Sequence, residues 1–157
     1  MTILEILRWF QDTGFGVALR KSNHLVGAAF QLVHIIGFVL LLASVTLINL
    51  RLLGLAFARE APARIIGAGN ILLGIGLAAA VLSGILIFLS GPVRYYSNEF
   101  FQLKMLLLIA AVLFQATLFA WLSRRAAERP FAGKAVAVAS LLLWFGVGVS
   151  GRIIGFV

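Results

Sequence analysis

The stretch Leu25–Leu50, LVGAAFQLVHIIGFVLLLASVTLINL, contains no Asp, Glu, Lys or Arg, and its single histidine, His34, stands ten residues after His24. It exceeds the ~20 residues a helix needs to cross ~30 Å of hydrocarbon. Apolar residues fall on every face of the helix it would form, so lipid or other helices must surround it. Three more uncharged stretches follow, Ile65–Val93, Met105–Ser123 and Ala135–Gly151. The expected fold is all-α, an integral membrane four-helix bundle, because helices satisfy their own backbone in lipid. Residues 1–157 form one transmembrane domain, with spans near 25–49, 65–90, 103–123 and 135–156.

Composition agrees. Of the 157 residues 62% are hydrophobic and 11% charged, more apolar surface than a soluble domain of this size can hide. The net charge of +8 comes from 13 Lys and Arg in short segments beside the spans, where such residues meet anionic headgroups. The lipid bilayer is therefore the expected partner of this charge, not nucleic acid. Cysteine is absent, which excludes disulfides, thiolate metal sites and cysteine nucleophiles.

Before the first span, Ile3, Leu4, Ile6, Leu7, Trp9 and Phe10 alternate with Glu5, Arg8, Gln11 and Asp12. This pattern predicts an amphipathic helix over 2–12 lying in the interface, ended by Gly14 and Gly16. With two acids and no long apolar core, the segment does not read as a signal peptide. Seven basic residues, Arg51, Arg59, Arg64, Arg124, Arg125, Arg129 and Lys134, fall on one side of the predicted bundle. Six, Arg8, Arg20, Lys21, Arg94, Lys104 and Arg152, fall on the other. The basic excess predicts a cytoplasmic Arg51 side, with both termini periplasmic.

Ionisable groups at bilayer depth point to function, and His34 is the one in mid-span. Gly27, Gln31 and Gly37 lie near its face and leave room beside the imidazole. A neutral imidazole ligates haem iron well, and apolar surroundings suit a porphyrin. His24 cannot join it on one iron, being about 15 Å away along the helix and roughly 80° out of phase. Met105, Lys104, a histidine from a second copy of the chain in a homo-oligomer, or an open position remain for the sixth site. The structural alternative is a buried histidine hydrogen-bonded to Gln31, Ser44 or a polar residue of another helix such as Gln115. Stripes of small residues, Gly76, Ala80 and Gly84 in the second span and Gly146 and Ser150 in the fourth, predict close helix packing. The alternative for those stripes is a slot for a flat cofactor.

Between the second and third spans, Pro92, Tyr95, Asn98, Phe101 and Lys104 recur at every third position, a slowly drifting ridge if wound as a helical turn or a 3₁₀ segment. Asn98 is expected to cap the third helix, with Glu99 favourable in its first turn. Lys104 near that N-terminus opposes the helix dipole, and an anionic partner would remove the conflict. Arg94, Lys104 and Arg152, with Tyr95, Tyr96 and Asn98 beside them, are thus expected to surround the propionates of a haem b whose iron His34 ligates.

The chain resembles a bacterial four-helix membrane family of unknown function along almost its whole length. The likeness rests on His34, Leu50-Arg51-Leu52-Leu53-Gly54, the ladder from Pro92 to Lys104, and Trp144 with Gly151-Arg152-Ile153-Ile154. Asn49 stands where an aspartate is usual, and Gly155-Phe156 where Ala-Tyr is usual. More distantly, His34 and Lys104 are similar to the histidine and lysine of the haem-binding protoporphyrinogen oxidases and of the D-type copper-resistance membrane proteins. The resemblance implies a multi-pass protein of the bacterial inner membrane.

The expected function is electron transfer within the bilayer by a b-type haem, exchanging with a quinone or a redox protein. One alternative is a haem-dependent membrane oxidase. Another is a cofactor-free structural or small-solute transport subunit in which His34 and Lys104 bond helices together. No nucleophile with a partnered base, carboxylate pair within a span or phosphate loop marks an enzyme.

Overall fold

The computed structural model of the chain describes residues 2–57, 59–121 and 130–156. Arg124, Arg125 and Arg129, three of the basic residues expected on one side, lie outside the described residues. The chain begins with α1 (Ile3–Asp12), started by a reciprocal cap in which the Thr2 hydroxyl accepts from Glu5 N and the Glu5 carboxylate accepts from Thr2 N. Ile3, Ile6 and Trp9 are left exposed, the apolar face an interfacial helix needs. Gly14 and Gly16, expected to end the segment, instead belong to a second short helix, α2 (Gly14–Lys21). The break falls at Thr13, whose hydroxyl accepts from Gly16 N at 3.2 Å.

Among the described residues, four helices are long and apolar enough to cross a membrane. They are α3 (His24–Leu53), α4 (Pro62–Leu89), α6 (Glu99–Phe114, continued by a π-turn over Gln115–Phe119) and α7 (Pro130–Ile153), with the short α5 (Pro92–Tyr96) between α4 and α6. Leu32, Ile71, Leu82, Leu106 and Leu142 project outward from them with most of their surface uncovered, as lipid-facing side chains do. Gly54 ends α3 in a left-handed conformation, φ 78°, which the absence of a Cβ permits. Arg51 then donates from Nε and Nη2 to the Glu60 carbonyl at 3.1 and 2.8 Å, clamping the α3–α4 connection. The Leu50–Gly54 motif is thus a helix stop with a loop clamp.

α3 packs along α4 and, on another side, against α7, which packs on α6. The close α3–α4 crossing needs Gly37 and Gly76: a Cβ on Gly37 would lie 2.8 Å from Ala80 N, and one on Gly76 2.6 Å from Leu41 N. Leu41, Val45, Leu73, Ala111, Trp144 and Val147 form the core where the four helices meet. α4 and α6 make no comparable backbone contact, so the ring of helices α4, α3, α7, α6 is incompletely closed.

Candidate functional site

His34 lies on the face of α3 turned toward the bundle, and its partners are polar groups of α4 and α6. Nδ1 is 2.7 Å from the Ala80 carbonyl of α4, and 3.3 Å from Ser83 Oγ. A carbonyl oxygen can only accept, so Nδ1 carries the proton and Nε2 keeps a lone pair. Lys104 of α6 donates to that lone pair from Nζ at 3.3 Å. Neither Gln31, which is exposed, nor Ser44, which bonds the Leu40 carbonyl, takes part.

Two glycines flank this pair, and Gly84 is the tight one. A Cβ on Gly84 would stand 3.0 Å from His34 Cε1, and one on Gly151 of α7 would stand 3.4 Å from Lys104 Nζ. The Gly76, Ala80, Gly84 stripe therefore packs helices as expected: Gly76 brings α3 close, while Ala80 and Gly84 seat the imidazole of α3. Gly27 meets nothing within 4 Å and plays no part.

His34 and Lys104 lie in the wall of a cavity of about 280 Å³, whose remaining lining is apolar side chains and small residues of α3, α4, α6 and α7. On α3 and α7 its lining residues Leu41 and Val147 are buried. On α4 and α6, by contrast, Val81, Ile85 and Met105 also line it and remain 38%, 49% and 37% exposed. The cavity therefore opens sideways between α4 and α6, where lipid would lie.

The residues of the Pro92 ladder reach different places. Pro92 is buried at the start of α5, and the Asn98 side chain caps α6 as expected, Oδ1 accepting from Phe101 N at 3.1 Å. The chain thus changes helix between Tyr96 and Glu99, and the ladder is not one 3₁₀ ridge. Tyr95 packs on Phe88 and Phe101, whose rings stack with centroids 5.3 Å apart. Phe88 and Phe101 line the cavity, so this trio covers its end nearest α5. Arg94 is exposed, and Arg152 is exposed with its guanidinium 4.6 Å over the Phe156 ring. The structure brings His34 and Lys104 together, sets Tyr95 one ring away, and leaves Arg94 and Arg152 outside the lining.

A second polar cluster lies elsewhere in the bundle. Trp144 Nε1 and Ser140 Oγ both donate to Gln115 Oε1, at 3.4 and 3.1 Å. Asn49 Nδ2 donates to Ser140 Oγ and to the Val45 carbonyl. Because an indole only donates, Gln115 must offer oxygen, Ser140 must donate onward, and Asn49 must turn its NH₂ to Ser140. Asn49 Oδ1 is left buried with no hydrogen-bond partner among the described residues. Ser83, Ser140 and the Ala80 carbonyl were not singled out from the sequence. The hydroxyls were visible as polar residues within spans, whereas the carbonyl carried no signal.

Fold and cavity together define a four-helix bundle with membrane-spanning dimensions and a histidine–lysine pair facing an apolar space. The chain belongs to DUF6644, a family of unknown function whose model matches residues 7–157. No curated protein and no solved structure matches it.

Proposed function

We propose that this protein binds a lipid-dissolved ring molecule that carries electrons within the bilayer. One observation carries the reading: a donor, Lys104 Nζ, and an acceptor, His34 Nε2, stand side by side in the wall of an otherwise apolar cavity that opens toward lipid. Such a site takes a largely apolar ligand that turns a polar oxygen to the pair. The bacterial inner membrane is the proposed setting, with the Arg51 side cytoplasmic.

Haem b on His34 is a second reading, favoured by the Nδ1–H bond to Ala80. A backbone carbonyl on one ring nitrogen is the usual support of a metal-ligating imidazole. As arranged, the site does not fit a porphyrin. Arg94 and Arg152 are not in the lining, and the cavity of about 280 Å³ compares with the ~150 Å³ that takes one benzene ring, whereas a porphyrin has four pyrroles. The Lys104 to Nε2 bond equally favours the cofactor-free alternative, in which the pair ties α3 to α6.

The three readings separate in one preparation. Protein purified from haem-supplemented cells is measured by visible absorption and then extracted with organic solvent. The proposal expects a co-purifying lipophile in the wild type that is depleted in His34→Leu. A Soret band lost in that variant would move the assignment to haem. Absence of any bound lipophile, together with no saturable uptake of added ones, would leave the cofactor-free reading.

A further inference from the structure

We infer that the His34–Lys104 cavity is a site for the ring of a quinone or its quinol, entered from the lipid through the gap between α4 and α6. The inference rests on the ligand-binding reading above and names its ligand class.

Three features select this chemistry. First, the paired groups have opposite hydrogen-bonding sense. Lys104 Nζ has three N–H donors and a single hydrogen-bond partner among the described residues, so it can donate to a quinone carbonyl. His34 Nε2, with its proton on Nδ1, accepts from Lys104 here, and a quinol hydroxyl takes that place when Lys104 turns its N–H groups to the quinol oxygen. The two redox forms of one ring thus find complementary contacts from neighbouring atoms. A fatty-acid carboxylate also accepts from Lys104, but it has no reduced form that donates to Nε2 and no ring for the aromatic lining. Second, about 280 Å³ exceeds the ~150 Å³ that holds benzene, leaving room for ring substituents. Third, Phe88 and Phe101 present aromatic surface to the cavity while their stack, 5.3 Å between centroids, covers the end toward α5. The exposed lips, Val81, Ile85 and Met105, lie on the sides of α4 and α6. An apolar tail leaves along that gap into lipid.

The test uses the full-length protein in nanodiscs, with radiolabelled decyl-ubiquinone as ligand and decylbenzene and palmitate as competitors. Saturable binding is expected, weakened about tenfold or more by Lys104→Met, since a hydrogen bond to a charged donor is lost. Decylbenzene and palmitate should each compete at least about tenfold less well than unlabelled quinone, for lack of a matched oxygen. Lys134→Met, an exposed cation elsewhere on α7, should bind as the wild type does. Val81→Trp, which fills the gap and touches neither polar group, should abolish binding. Circular dichroism checks that each variant folds, and if Lys104→Met does not, Val81→Trp and the competition series decide.

Equal competition by decylbenzene or palmitate, or unchanged binding in a folded Lys104→Met or Val81→Trp variant, overturns the quinone assignment while leaving the broader reading standing. If quinone does not bind saturably and no lipophile depleted in His34→Leu is extracted from the wild type, both fall.

Discussion

Adding one methyl group at Gly84 should dislodge His34. A Cβ there would stand 3.0 Å from His34 Cε1 and 3.3 Å from Nδ1, closer than most carbon contacts allow. The ring must therefore retreat from α4, stretching the 2.7 Å bond to the Ala80 carbonyl. Interhelical hydrogen bonds in membrane proteins average ~0.6 and reach ~1.7 kcal/mol. A polar group left buried without a partner costs about 1–3 kcal/mol. Gly84→Ala should thus destabilise by about 1–2 kcal/mol, against a small gain in helix propensity. Reversible unfolding in mixed micelles by sodium dodecyl sulfate titration, followed by circular dichroism, measures it. The decisive comparison is a double-mutant cycle with His34→Ala. With the imidazole gone, the alanine methyl meets open space, and the Gly84→Ala penalty should vanish. An equal penalty in both backgrounds would show that the glycine answers to something other than the histidine, and the reasoning would fail.

Two further outcomes follow from the other polar residues and from the topology. Gln115→Leu should lose about 2–3 kcal/mol by stranding the Ser140 hydroxyl and the Trp144 N–H, whereas Asn49→Leu should lose less than ~1 kcal/mol because it also removes a buried, unpaired oxygen; the same titration checks both, and the reverse order would contradict the network. Cysteines at Arg59 and Lys134 should label from one face of the membrane and a cysteine at Tyr96 from the other, in intact against permeabilised vesicles, with labelling of Arg59→Cys and Lys134→Cys from opposite faces refuting the four-span topology.

The spans were readable because a charge in hydrocarbon is so unfavourable that its absence marks them directly. The start of α6 was readable too, since Asn98 and Glu99 are residues that helix N-termini select. The Gly14–Lys21 helix was missed because Gly14 and Gly16 read as breakers, while the close approach of Gly16 to the Phe10 carbonyl, 2.6 Å for a Cβ, depends on how α2 folds back. At the site, depth and chemistry singled out His34 and Lys104 separately. That they meet depends on the circuit α4, α3, α7, α6, which local pattern does not encode. The Ala80 carbonyl that sets the tautomer is backbone and has no signature. Arg94 and Arg152 share an end of the bundle with Lys104 in sequence order, but side-chain direction sends them elsewhere.

The incompletely closed circuit of helices divides the molecule into two consecutive hairpins, α3–α4 and α6–α7, joined mainly along the α3–α7 seam. Each hairpin is made of neighbours in sequence, so each can reach the membrane and pair internally before the other is finished. The cavity belongs to neither hairpin and comes into being only when the two dock. Rotation about the seam would part the Phe88 and Phe101 rings and widen the gap while leaving the Gly37–Gly76 crossing untouched. Docking of two ready-made halves therefore governs both the completion of the fold and the size of the space beside His34.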